Sequence, residues 1–227
     1  RRSAPSRSDC ASAMTSNPPH ERLIEGPASW RSRALGAVLR LALREPLRPD
    51  ADIAQLRQRY EALDARYFQP DRSVVRERVD CDGVGAEWVS VPQSRPERVL
   101  FYLHGGSFAF RFPNAHAAFA ARLCRRLGTR ALIPDYRLAP EHPYPAAPDD
   151  CSAAYRWALA QGHRASDFVF LGDSAGGNLA LVTLHRALRV REALPACAVL
   201  LSPAVDCTLE SRSIRDNEGL DPMLSLP

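Results

Sequence analysis

A serine with a glycine two residues to either side is the feature of this sequence whose residue types and spacing point most directly to covalent chemistry. It lies in Phe168-Val-Phe-Leu-Gly-Asp-Ser-Ala-Gly-Gly-Asn178. The pattern Gly172-x-Ser174-x-Gly176 places a hydroxyl on a sharp strand-to-helix turn, where neighbouring backbone comes so close that only glycine fits on each side. Ser174 is therefore a candidate nucleophile for acyl transfer. The amide of Ala175 opens the helix that follows, so a developing oxyanion would meet a free N–H together with the positive end of a helix dipole. The flanking residues supply the setting such a turn requires: Phe168 to Leu171 as a buried strand, then Leu179, Leu181, Val182, Leu184 and Leu188 as the apolar positions of a helix.

A second close backbone approach is signalled where the apolar run Val99-Leu-Phe-Tyr-Leu103 passes into His104-Gly-Gly-Ser-Phe108. Consecutive glycines after a strand expose their N–H groups, which makes Gly105 and Gly106, with Ala175, the candidate oxyanion-hole donors; the amide of Ser107 is a further candidate. Phe108, Phe110 and Phe112 alternate after this loop, a pattern equally suited to lining a pocket and to packing a core.

Elements that position these residues follow from periodicity. Short apolar runs predict strands over Val74–Val79, Glu87–Val91, Val99–Leu103, Ala131–Pro134, Phe168–Leu171 and Ala196–Leu201, the first two joined by the Cys81-Asp82-Gly83-Val84-Gly85 turn. Helical spacing predicts helices over Ala115–Leu127, Ala147–Ala160 and Asn178–Val190. Strand and helix alternate, which implies a largely parallel sheet covered by helices on both faces. Ahead of the sheet, Trp30 to Arg44 carries one apolar stripe (Leu35, Val38, Leu39, Ala42, Leu43). A second helix follows Pro49, capped by Asp50 or Asp52, with Ile53, Leu56, Tyr60, Leu63 and Tyr67 as its expected buried face. This pair suits a lid over a pocket and plain core cover equally well.

Composition narrows the function class. The chain has 227 residues, 45% of them hydrophobic, enough for one α/β domain with a full core. All 30 basic residues are arginine, scattered among 26 acids for a net charge of +4, and this lacks the clustered positive charge of a nucleic-acid surface. The six cysteines form no C-x-x-C pair and the histidines no H-E-x-x-H, so no metal or other cofactor is expected. The longest apolar run, Ala34 to Leu43, is broken by Arg40 and too short to span a bilayer. A cytoplasmic protein with reduced cysteines is the expectation. Residues 1–29, rich in Arg, Ser and Pro, are expected to be a disordered leader.

Three blocks together resemble the α/β-hydrolase esterases of the hormone-sensitive lipase-like group, bacterial family IV: His104-Gly-Gly-Ser-Phe108, Asp135-Tyr-Arg-Leu-Ala-Pro-Glu-His-Pro-Tyr-Pro-Ala146 and Gly172-Asp-Ser-Ala-Gly-Gly-Asn178, with Leu201-Ser-Pro-Ala-Val-Asp206 as a weaker fourth. The resemblance implies a serine ester hydrolase of small, rather apolar acyl esters, with Ser174 as nucleophile, the His-Gly-Gly block with Ala175 as oxyanion hole, residues 30–70 as a helical cap and 71–227 as the hydrolase core. The family often has glycine where Ser107 stands.

In this fold the triad acid and then the histidine follow the serine. The one histidine after Ser174 is His185, eleven residues on, which is about 16 Å along a helix axis and out of hydrogen-bond reach. Asp206 and Asp221 fit the acid poorly, and Asp135, Arg137 and Glu141 read as arginine–carboxylate pairs that fix a proline-rich loop. The expectation is an incomplete chain, inactive by itself, with the C-terminal strands and both remaining triad members beyond Pro227. A non-catalytic ligand-binding homologue and an inactive truncated product are the alternatives, and nothing in the sequence fixes the oligomeric state.

Overall fold

The computed structural model describes residues 29–42, 52–69 and 71–216. Its elements run α1 (Trp30–Ala42), α2 (Ile53–Tyr67), β1 (Val75–Asp80), β2 (Gly85–Ser90), β3 (Val99–Leu103), α3 (Pro113–Leu127), β4 (Arg130–Pro134), α4 (Ala146–Ala160), β5 (Phe168–Asp173), α5 (Ala175–Arg189), β6 (Cys197–Leu201) and a short α6 (Arg212–Asp216). All six predicted strands are present, with shifts of one or two residues at their ends. The chain divides into two compact units; α1 lies in one, whereas α2 and everything to Asp216 lie in the other. In α1, Val38 of the expected apolar stripe is exposed. The expected leader, apart from Ser29, lies outside the described residues, as does Asp221.

Strand order is β1-β2-β4-β3-β5-β6, antiparallel at β1/β2 and β2/β4 and parallel from β4 to β6. Side chains of a strand alternate between faces, and β3 shows what that does here. Val99, Phe101 and Leu103 pack with Cys151, Ala154, Tyr155 and Ala158 of α4 and with Leu179 and Ala180 of α5. Leu100 and Tyr102 pack on the other face with Ala117, Ala120, Ala121 and Cys124 of α3. All five β3 residues are buried, as befits a central strand with helices on both faces. From β3 the chain moves through α3 to β4 on one side, then through α4 to β5 on the other. The carboxyl ends of β3 and β5 thus flank the point where strand order reverses, where open α/β sheets place their ligand crevices. The predicted glycine loop and the predicted serine turn both leave from those two ends.

Helix α2 begins as expected, with Asp52 accepting from the Gln55 N–H at 3.0 Å. Its buried face differs from the expectation. Leu63 and Tyr67 are exposed, and the inward stripe is Ile53, Leu56, Arg57, Tyr60 and Asp64. The Asp64 carboxylate accepts the N–H groups of Asn114 and Ala115 at 2.8 and 2.9 Å, capping the start of α3 from another helix. Neither Phe112 nor Pro113 can do this from within α3, because Phe112 at the cap position has no side-chain acceptor. Apolar periodicity points to Leu63 and Tyr67, but the unpaired amides of α3 select the carboxylate.

Loss of that cap leaves two helix-terminal N–H groups without an acceptor in a partly buried place. Asp64→Ala is therefore expected to lower the stability to urea by about 1–3 kcal/mol, and Leu63→Ala and Tyr67→Ala by less. A Leu63→Ala variant as destabilised as Asp64→Ala would restore the apolar face as the one that docks α2.

Candidate active site

Ser174 holds φ +52° and ψ −119°, a left-handed backbone that costs a non-glycine residue about 1–3 kcal/mol. Four backbone hydrogen bonds hold it there. Its N–H donates to Leu201 O at 2.9 Å, and its carbonyl accepts from Gly177, Asn178 and Ala204 N–H at 3.0, 3.3 and 3.0 Å. The residue is exposed, and its hydroxyl has no hydrogen-bond partner among the described residues. The flanking glycines meet the steric demand read from their spacing. A Cβ on Gly172 would overlap the carbonyl of Gly176, and one on Gly176 would overlap the carbonyls of Leu103 and His104. The serine turn thus rests directly on the end of β3.

From there the loop 104–107 is held peptide by peptide. The His104 carbonyl accepts the Tyr136 hydroxyl at 2.7 Å, and at the other end of the same peptide the Gly105 N–H donates to Asp173 Oδ1 at 3.0 Å. The Gly105 carbonyl accepts from His104 Nδ1 at 2.8 Å, which fixes the proton on that nitrogen. The Gly106 carbonyl accepts from Ala109 and Phe110 N–H at 2.9 and 2.8 Å. In a trans peptide the C=O and N–H point in opposite directions, so holding the carbonyls of Gly105 and Gly106 turns the N–H groups of Gly106 and Ser107 the other way. Among the described residues neither of these amides has an acceptor, and Ala175, the first residue of α5, likewise has none. Of the expected donors, Gly105 differs from Gly106 and Ala175 in that its N–H is already bonded to Asp173, while the amide of Ser107, the further candidate, has no acceptor among the described residues. Ser107 and Phe108 follow in left-handed backbone at φ +54° and +58°, conformations in which the glycine usual at the first position costs less.

Behind this loop lies a stack of three rings, His104 and Tyr136 buried and His116 half-buried. His104 is parallel to Tyr136 at 4.3 Å and to His116 of α3 at 4.6 Å between centroids. Burial, with the neighbouring His116, pushes the His104 imidazole down to about 3; burial and then Arg111 push His116 down to about 4. His104 Nε2 and His116 Nδ1 are buried without partners among the described residues. A neutral His104 donates its single proton to the Gly105 carbonyl and so acts as a fixed strut. It is unsuited to accept a proton from Ser174.

Other candidates separate cleanly. His185 is exposed on α5. Asp206 accepts from the N–H and hydroxyl of Thr208 at 2.9 and 2.6 Å, bonds that hold its carboxyl below the usual range and close a local turn. The three charges of the middle block are paired: Arg111 with Asp135, Arg137 with Asp150 at 2.7 Å, and Arg57 with Glu141 at 2.7 Å. Phe110 packs edge-on against Tyr60 at 5.3 Å and Phe112 against the same ring at 5.9 Å, so these two serve the core. Phe108 instead lines a cavity of about 440 Å³ with Ala139, Tyr144, Leu179 and Val182. Among the described residues no group of three or more His, Cys, Asp or Glu side chains is arranged to hold a metal ion, and no helix is long and apolar enough to cross a membrane.

Three functional neighbours escaped the sequence reading: Asp173, Tyr136 and Arg57. Asp173 is the variable position of the Gly-x-Ser-x-Gly pattern, Tyr136 lies 32 residues from His104, and Arg57 sits on a helix where leucine and tyrosine dominate the apolar signal. Arg57 donates to Ala109 O at 2.6 Å and also to Ala139 O, tying α2 to the loop beyond Ser107.

The ring stack has a consequence for stability. Both imidazoles are neutral in the folded chain and take up protons on unfolding below their ordinary value near 6.5, so their contribution is fully present above about pH 6.5 and is lost as pH falls toward 4 and then 3. His116→Phe keeps a ring in the stack and removes one of the two protons. Its unfolding free energy is expected to fall with a slope shallower by about one proton between pH 6 and 4.5. An unchanged slope in urea titrations would show that His116 is charged in the folded protein.

Comparison with known proteins matches residues 100–226 to a family described as alpha/beta hydrolase fold. An esterase from Acinetobacter venetianus is 33% identical over 197 residues, covering 87% of this chain and 64% of that esterase. A carboxylesterase/phospholipase of Mycobacterium tuberculosis, LipF, is 36% identical over 162 residues, covering 70% of this chain and 43% of that protein. Among solved structures, an esterase from the bacterial hormone-sensitive lipase family superposes with a TM-score of 0.77 at 34% identity, covering 88% of this chain and 66% of that one. The chain therefore spans between under half and about two thirds of the length of these relatives. On this match, and on the serine turn and glycine loop brought together at the ends of β3 and β5, the chain belongs to the α/β-hydrolase fold, in its hormone-sensitive lipase-like esterase family.

Proposed function

We propose that the protein hydrolyses carboxylic esters through an acyl-enzyme on Ser174, and that the N–H groups of Gly106, Ser107 and Ala175 bind the oxyanion. The observation that carries this reading is the row of acceptor-free amides on the two segments that touch at Gly176. In this mechanism Ser174 Oγ attacks the ester carbonyl and loses its proton to a general base. The carbonyl oxygen gains the negative charge and is met by fixed dipoles that need no reorganisation. Collapse of the tetrahedral intermediate breaks the bond to the alcohol, which leaves with a proton, and water then releases the acid by the same route in reverse.

The base is not among the described residues on this reading, since His104 is a buried strut and His185 is on an exposed helix position. Serine without an adjacent base is a weak nucleophile. The named activities of the relatives, esterase and carboxylesterase/phospholipase, support the ester bond as the target. The cavity lined by Phe108, Ala139, Leu179 and Val182 suits a small apolar group of the substrate.

Diethyl p-nitrophenyl phosphate applied to the protein expressed from its whole reading frame is expected to add one diethylphosphoryl group, on Ser174. Ser174→Ala should abolish both this adduct and turnover of p-nitrophenyl butyrate. An adduct on any other serine with turnover lost alongside would move the nucleophile elsewhere. Residues 1–227 made alone are expected to turn over this ester only very slowly; ordinary esterase rates would place the base among the histidines set aside above.

A further inference from the structure

We propose that Asp173, the residue before the serine, is a positioning residue that sets the amide row against Ser174. This rests on the reading of Ser174 as the nucleophile and deepens it. Asp173 closes β5, and the last paired residues of β3 and β5 are Leu103 and Gly172. Beyond that pair the sheet ladder has ended, and nothing in the ladder fixes how the two chains diverge. The Asp173 carboxylate spans the gap. Its Oδ1 accepts the Tyr102 hydroxyl at 2.8 Å and the Gly105 N–H at 3.0 Å. Gly105 lies so close that a Cβ there would overlap Asp173 Oδ2 and come within 2.9 Å of the Asp173 carbonyl oxygen.

The two donors explain why a carboxylate suits the position. Both groups can only donate here: Gly105 through its amide, and Tyr102 through a hydroxyl whose ionisation burial and Asp173 itself push further up. A carboxylate is acceptor-only in either orientation, whereas an amide side chain would present hydrogens to the same donors in one of its two orientations. Among the described residues Asp173 has no ion pair, so a negative charge stands near the place where the reaction develops another. That charge opposes the transition state, and the geometry it enforces must outweigh it.

The geometry passes to the site through rigid peptides. Asp173 and Tyr136 grip the two ends of the 104–105 peptide, His104 grips the carbonyl of the next, and the N–H groups of Gly106 and Ser107 follow from those two planes. Since Asp173 is bonded directly to Ser174, any displacement of the hydroxyl is carried to the amides that face it. Its side chain acts on the amide row through the hydrogen bond to Gly105.

The test is the rate at which diethyl p-nitrophenyl phosphate modifies Ser174 in the full-length protein, read beside kcat and KM for p-nitrophenyl acetate. Asp173→Ala removes the acceptor and is expected to slow phosphorylation and kcat by about 10²-fold, the scale of losing one oxyanion donor, with KM changed by less than about threefold. Asp173→Asn keeps an oxygen that can serve both donors and should recover to within about tenfold of the wild type. A folded Asp173→Ala protein at the wild-type rate overturns the proposal, and so does an Asp173→Asn variant as slow as Asp173→Ala, since restoring an oxygen to both donors would then have restored nothing. Should Asp173→Ala fail to fold, Tyr102→Phe decides, because it removes the second donor to the same oxygen: a loss in kcat with KM unchanged supports positioning, and a wild-type kcat or a loss confined to KM overturns it. Failure of the wild type to be modified at Ser174 would instead refute the nucleophile, leaving the two claims separable.

Discussion

Backbone resting on backbone is the constraint from which the site follows: Gly176, in the first turn of α5, lies against the carbonyls of Leu103 and His104 at the end of β3. No side chain fits between them. The strained serine turn is thereby pressed to the glycine loop, and everything nearby serves to hold the two in one arrangement. The strain at Ser174 is sustained by hydrogen bonds to Leu201 and Ala204 on one side and by the start of α5 on the other. A left-handed serine persists only where its surroundings over-determine it, and sites of reaction are where such residues gather.

The support extends outward in layers of different chemistry. Nearest the loop are neutral rings, His104 between Tyr136 and His116, of which His104 and Tyr136 hold carbonyls by hydrogen bonds. Beyond them α2 reaches in with polar groups, Arg57 to the carbonyls of Ala109 and Ala139 and Asp64 to the first amides of α3. A helix fastened at both ends of its inner face by partly buried charges is a brace for the segment 107–115. The same contacts hold α2 against the start of α3 and the loop beyond Ser107.

What was legible in the sequence was what depends on local backbone. Strand and helix alternation, the glycine spacing around Ser174 and the turn after β3 are short-range signals, and each element lies within a few residues of its expected place. What was not legible depends on pairs distant along the chain. Gly105 carries the same glycine signature as Gly106, and only the carboxylate of Asp173, 68 positions away, makes one amide unavailable and leaves the other open. Leu63 and Tyr67 satisfy the helical period as well as Asp64 does not, yet the amides of Asn114 and Ala115 decide which side of α2 turns inward. Periodicity reports where apolar groups can go, and it is silent on which buried polar group finds a partner.

In the proposed mechanism Gly106 and Ser107, not Gly105, present their amides to the oxyanion formed on Ser174. A crystal structure of the full-length protein phosphorylated on Ser174 measures this directly, because the phosphoryl oxygen occupies the oxyanion position. That oxygen is expected within about 3.1 Å of the Gly106, Ser107 and Ala175 nitrogens, with the Gly105 N–H still on Asp173. A phosphoryl oxygen bound by Gly105, with Asp173 released, would contradict it.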